Sequence, residues 1–335
     1  MKLLNVFRKS AYLRPLFEDL NLHLMDIGAR GGMDGDLLPA AWAISATGFE
    51  PAEDECARLN QSPSASWRST RYVPAAVGGM DGVSTLKIPE NGEGASLLTH
   101  NPQMISRFGN EALHRTLREV SVDTLTLDTA CKRFDLAAPD YLKIDVEGAE
   151  LAILQSASKS LALCSAVKVE VSFLEQRLHQ PLMHEVLEFM LSKGFILGEI
   201  RGLHAWRRRP LPSHPYSANW SMPYSRGIAA QCDLLFLRDP ATVATDEVLL
   251  RLLCVAAVLG FFDHGVTALH QSASLAKHLD AQMGTSFLEE LAAVSREMGR
   301  AVAISEIRGR LRSQIPLGKS WLRGISLPNS IEPGY

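Results

Sequence analysis

The sequence has no long apolar run, no closely spaced cysteine pair and no marked excess of either charge. Its most apolar stretch, Leu252 to Phe262, is bracketed by Arg251 and Asp263. It is too short to span a bilayer, so a buried helix is expected there. Five cysteines (Cys56, Cys131, Cys164, Cys232, Cys254) stand without C-x-x-C spacing. That spacing suggests neither a disulfide framework nor a zinc site, and it fits a reduced, cytoplasmic setting. The formal net charge is only -3, and the basic run Arg207, Arg208, Arg209 is too short to mark a nucleic-acid binder. The first twenty residues carry Lys2, Arg8, Lys9 and Arg14 and lack the apolar core of a signal peptide. They read as a short amphipathic helix over residues 1–20. No internal repeat or low-complexity tract is present.

The 335 residues, 46% hydrophobic and 21% charged, can bury a full core. From about residue 21, short β-rich runs alternate with helical segments. This is the pattern of a mostly parallel sheet with helices on both faces. Strands are expected at Leu22 to Gly28, at "ATGFEP" ending on Glu50, at "TRYVPAAVGG", at "VSVDTLTL", at Tyr141 to Asp145 and at "SAVKVEVSF". "FILGEI" and "QCDLLFLR" are expected to form a closing strand pair around a loop from Arg201 to Ile228. "GVSTLKIP" reads as an extended excursion. A helix is expected near Asp34, where an acid suits the positive helix terminus, and another near Gly148. Beyond Asp239 strand signals vanish and helical ones take over, which places a domain boundary there.

Three carboxylates, Asp26, Glu50 and Asp145, fall at or near strand C-termini, the edge at which open α/β sheets bind ligands. Asp26 opens the turn "DIGARGG", whose Gly28 and Gly32 permit tight turning and close ligand approach. The turn does not meet G-x-G-x-x-G, and no G-K-[ST] follows, which disfavours nucleotide phosphates and a nicotinamide-dependent oxidoreductase. Glu50 lies about twenty residues beyond that turn, where an acid binds ribose hydroxyls; a solvated loop carboxylate is the plain alternative. A ribose-binding acid without phosphate chemistry points to S-adenosylmethionine.

"DIGARGG", "GFEP", "AVGG", "VDTLTLDTAC" and above all "LKIDVEGAELAIL" together resemble the FkbM family of S-adenosylmethionine-dependent methyltransferases, over roughly residues 21 to 238. The resemblance implies a seven-stranded Rossmann-like methyltransferase sheet with its last strand antiparallel, followed by a helical C-terminal extension over 239–335. It also implies O-methylation of a hydroxyl on a small molecule or glycan. Asp26, Gly28, Ala29 and Gly32 would wrap the methionine part, Glu50 would take the ribose, Ala76 and Val77 would lie near the adenine, and Asp145 would sit beside the transferred methyl. Arg30 and Gly31 depart from the family's usual pair. The Arg30 guanidinium either meets the cofactor carboxylate or points to solvent.

Methyl transfer from a sulfonium is an in-line displacement, so alignment of acceptor, methyl and sulfur is the protein's main task. Asp145 and Glu147 are the candidate catalytic residues; for Glu147, stabilising a helix terminus is an equal alternative. His100, His179, His204 and His214 are further candidates for the base. Asp145, Glu147 and Glu170 could offer oxygens to a divalent metal, but carboxylates alone do not define a geometry, and no metal is assigned. An N-methyltransferase, or a silent scaffold assembling through its C-terminal helices, are the alternatives, and the helices could equally support a homo-oligomer. The same fold hosts many acceptors.

Overall fold

The computed structural model describes residues 6–90, 94–108, 115–206 and 227–314. Within them the chain builds ten strands: β1 (His23–Ile27), β2 (Ser45–Phe49), β3 (Ser69–Val73), β4 (Ala76–Val77), β5 (Gly82–Pro89), β6 (Thr116–Leu125), β7 (Tyr141–Ile144), β8 (Ala166–Ser172), β9 (Phe195–Trp206) and β10 (Ile228–Arg238). Seven form one sheet in the order β3-β2-β1-β7-β8-β10-β9. β1, β2, β3, β7 and β8 pair in parallel, while β10 runs antiparallel to both β8 and β9.

Alternation along the strands divides the core. Leu24, Tyr141, Ala166, Leu235 and Leu237 face one side, where they join two short N-terminal helices, Val6–Lys9 and Leu13–Leu20, which stand in place of the single helix expected, and the helices from Asp246 onward in a single apolar cluster. Met25, Leu142, Ile144, Val167 and Phe236 face the other, against helices Leu127–Phe134, Glu150–Ser156 and Met183–Ser192. Period-2 side-chain placement makes this two-sided burial possible, and it explains why the central strands read as nearly continuous apolar runs. Helix Asp246–Leu259 contains most of the apolar stretch seen in the sequence and is buried from Leu252 to Val258, while the start of its first turn is exposed. Its Arg251 reaches Asp140 at 3.0 Å, just before β7. No described helix is long and apolar enough to cross a membrane.

Four local expectations are revised. No α-helix starts at Asp34: its carboxylate caps the following turn through the Asp36 amide at 2.9 Å and pairs with Lys168, and the crossover continues as a 3-10 helix, Leu38–Ala43. Short polar side chains that bond nearby amides compete with helix in this way. β6 lies outside the main sheet, in a three-stranded sheet of order β4-β6-β5, so "GVSTLKIP" is a paired strand. The closing pair is longer than expected: β9 runs through His204 to Trp206, and the rest of the expected loop, including His214 and Arg207 to Arg209, lies outside the described residues. Finally, the helix after β7 begins at Glu150, because Glu147 (φ 63°) and Gly148 (φ 118°) are left-handed.

Candidate active site

The chain crosses from one side of β1 to the other between β3 and β7, so the strand order reverses between β1 and β7. At such a switch point the loops leaving neighbouring strands diverge and leave a crevice at their C-terminal ends. A cleft of about 1070 Å³ opens there. Its floor is made by Gly28, Phe49, Glu50 and Asp145, one flank by Ala75, Ala76 and Val77, and its outer wall by Leu86, Ile88 and Leu117 of the small sheet.

Gly28 is held where β1 and β7 leave the sheet. Its amide donates to the Phe49 carbonyl at 3.1 Å, and the Asp145 amide donates to the Ile27 carbonyl at 3.0 Å. A Cβ at Gly28 (φ 88°) would lie 1.9 Å from the Asp145 carbonyl oxygen, so only glycine fits. Gly31 also lines the cleft; a Cβ there would meet nothing within 4 Å. The turn is therefore a backbone cradle with open space in front of it.

Of the residues singled out by sequence, Gly28, Arg30, Glu50, Ala76, Val77, Asp145 and Glu147 line this one cleft. Ala29 does not, because it is buried against Cys56, Leu59 and Tyr72. Gly32 and Asp26 lie behind the lining. Gly32 closes the turn through its amide to the Ala29 carbonyl at 3.0 Å, and Asp26, fully buried, accepts from the Asp34 amide at 2.8 Å. Glu50 is buried and accepts from the Ala52 amide at 2.9 Å; burial pushes its carboxyl above the ordinary value, while Arg30, exposed on the rim, draws it down. No histidine is among the described residues lining the cleft. His100 is buried in a segment whose backbone bridges to Arg177, and His179 and His204 lie elsewhere.

Three residues that sequence reasoning passed over organise the site. Lys143 lies between Asp26 (3.1 Å) and Asp145 (3.4 Å) and donates to the Gly28 carbonyl at 3.3 Å. Burial opposes its charge, but the two aspartates outweigh this and hold the ammonium above the ordinary lysine value. Arg177, 1% exposed, pairs with Glu147. Burial raises the Glu147 carboxyl and Arg177 opposes the rise. Glu150 accepts from the Val146 and Gly148 amides at 3.1 and 2.9 Å, so both of these turn amides are already used. Burial pushes its carboxyl up to about 7. The only sequence signals were a lysine inside an apolar strand and an acid in a helix's first turn.

Asp145, Glu147 and Glu170 bring carboxylate oxygens within 4.8 Å of one another. Burial, then Asp145, Glu147, Glu150 and Asp233, push the Glu170 carboxyl up to about 10, and it accepts from the Gln231 amide group at 2.7 Å. Crowded carboxylates retain a proton for this reason.

The family model of the methyltransferase FkbM domain matches residues 26–197, from the buried Asp26 to the start of β9. The chain belongs to the FkbM methyltransferase family. It is accordingly a methyltransferase, and the matched span contains every lining residue of the cleft. No curated protein matches the chain.

Proposed function

We propose that the protein is an S-adenosylmethionine-dependent methyltransferase that methylates a hydroxyl of a small molecule or glycan, and that the cleft at the switch point is its donor site. The supporting observation is the charge and shape of that cleft. Its described lining carries six carboxylates (Glu50, Asp54, Glu55, Glu90, Asp145, Glu147) against three cations (Arg30, Arg118, Lys143), around a glycine cradle. Such a lining suits a cationic sulfonium and opposes a pyrophosphate. On this reading the main sheet is the Rossmann-like methyltransferase sheet of a domain over residues 21–238, with the helices beyond it an extension.

The residues present fit the donor. Gly28, Gly31 and Gly32 form the turn around its amino-acid end, Glu50 accepts from the ribose hydroxyls, and Ala76 and Val77 supply an apolar wall for adenine. Bound there, the cofactor supplies the methyl group and a neutral thioether as leaving group. Asp145 is 39% exposed at the end of β7. It takes the acceptor's proton, or holds the hydroxyl in line. Glu147 is committed to an ion pair with the buried Arg177 and is the less exposed of the two carboxylates, so Asp145 is preferred as the base.

The test is isothermal titration of the purified protein with S-adenosylmethionine, S-adenosylhomocysteine and NAD. Saturable binding of the first two alone supports the reading. Binding of NAD alone, or of none by folded protein, overturns it.

A further inference from the structure

The strand order fixes how an elongated ligand lies in the cleft. Across the sheet edge the chain presents Asp145 after β7, Gly28 after β1, Glu50 after β2 and Ala75 after β3. Neighbouring strands stand about 4.8 Å apart, so Glu50 is about 10 Å from the β7 end and Ala75 about 14 Å. If Glu50 binds the ribose diol and Ala75 to Val77 flank the base, the amino-acid end of the donor falls over β1 and β7. Of the three cations lining the cleft among the described residues, Arg30 and Arg118 are exposed and the one that is mostly buried is there, Lys143.

An ammonium has three donor hydrogens and no acceptor. Lys143 faces three acceptors: an Asp26 oxygen at 3.1 Å, the Gly28 carbonyl at 3.3 Å and an Asp145 oxygen at 3.4 Å. One of these contacts, to the Gly28 carbonyl, is a hydrogen bond and the other two are ion pairs, so the charge of Lys143 is already balanced by the protein's own carboxylates, which argues against a direct bond to the donor's carboxylate. The three acceptors lie within β1 (Asp26), on the turn that leaves it (Gly28) and just past the end of β7 (Asp145). One ammonium thereby fixes the glycine cradle relative to the carboxylate beside it.

We propose that Lys143 is a positioning residue for the amino-acid end of the donor, holding the Gly28 turn and Asp145 in the arrangement that receives it. The inference rests on the S-adenosylmethionine reading above. It predicts an effect confined to one end of the ligand. Charge-assisted hydrogen bonds contribute about 1.5–3 kcal/mol each. Loss of the equivalent of one such bond is about a tenfold to hundredfold change in affinity.

The experiment compares two probes by isothermal titration. S-adenosylhomocysteine carries the amino-acid end, and 5′-methylthioadenosine lacks it. The variants are Lys143→Met and the double variant Asp26→Asn/Lys143→Met. The second removes the buried pair as a unit, so that no unpaired buried aspartate compromises folding. The expected result in whichever variants fold is about a tenfold or greater loss of affinity for S-adenosylhomocysteine, with 5′-methylthioadenosine unchanged within about twofold. Unchanged affinity for S-adenosylhomocysteine overturns the proposal. A parallel loss for both probes overturns it too, because a merely structural role would weaken the whole cleft. If the wild-type protein binds neither probe, the donor reading itself fails, and this inference falls with it.

Discussion

The Ser96 hydroxyl donates to the Glu147 carbonyl at 2.7 Å, tying the segment after β5 to the turn after β7. That tie is one point on a strap, residues 94–101, that borders the cleft. Ser96 exchanges backbone hydrogen bonds with Lys87 at 2.9 and 3.0 Å, the Leu178 amide donates to Thr99, and the Asn101 amide donates to Gln176. Ala95 and Leu97 line the cleft, while a Leu98 methyl would lie 3.0 Å from a Cβ at Gly148. Small sheet, strap and main sheet therefore meet at Glu147 and Gly148.

Gly148→Ala should therefore destabilise the protein by about 1–3 kcal/mol, because its φ of 118° is unfavourable for an L residue and the strap leaves no room. Thermal melting would show the loss, and protease cleavage within residues 94–101 should rise if the strap loosens. A melting temperature equal to wild type would show that the strap yields without cost.

Glu50→Ala should weaken S-adenosylhomocysteine binding about tenfold or more, the cost of losing a charged acceptor, with little change in melting temperature. Among the described residues the buried Glu50 carboxylate accepts a hydrogen bond from the local Ala52 amide alone, so the fold depends little on it. An unchanged dissociation constant would remove the ribose assignment.

Arg177→Met should cost about 3–5 kcal/mol, since it strands the carboxylate of Glu147 beside two others. Adding Glu147→Gln should recover much of that loss, because the pair is then removed together. Urea denaturation of both single variants and the double variant measures the coupling; strict additivity would mean that the two side chains do not act as a pair.

The Glu150 carboxyl titrates at about 7 in the folded chain, against about 4.3 for an ordinary glutamate. The folded state thus binds the proton more tightly than the unfolded state. Glu150 contributes stability that is fully present below pH 4, falls as pH rises and is lost above pH 7, a total of about 4 kcal/mol. Glu150→Gln keeps an oxygen for the Val146 and Gly148 amides and carries no charge at any pH. Its melting temperature should gain on wild type by several degrees between pH 5 and 8. A constant difference across that range would mean that Glu150 is not the titrating group.

Truncation after Arg238 should give an insoluble or molten chain, since Leu24, Tyr141, Ala166, Leu235 and Leu237 share their core with Leu252, Leu253 and Val255. A soluble truncated protein with a sharp melting transition would show that the sheet supports itself without those helices.

Much of this molecule was legible because the signals are local. Apolar runs ending in an acid or a glycine announced β1, β2 and β7, and "LKIDVEG" carried the family. The gathering of Gly28, Glu50, Ala76, Val77 and Asp145 around one cleft followed from strand-end position. Asp34 misled because an acid suits both a helix start and a capped turn, and its pairing with Lys168 is a tertiary matter. Ala29 stands within the motif but faces the core, since alternate residues of a turn leaving a strand point opposite ways.

By itself the sequence determined the alternation of strands and helices, the glycine turn and the acids at the strand ends, because dihedral preference and side-chain period act between near neighbours. Only the tertiary structure decided that β6 leaves the main sheet and that the C-terminal helices share a core with its face. It also decided that Lys143 joins Asp26 to Asp145 and that Arg177 joins Glu147. Those pairings depend on strand order and register, which bring distant side chains within bonding range, and on burial, which makes an unpartnered charge too costly to leave.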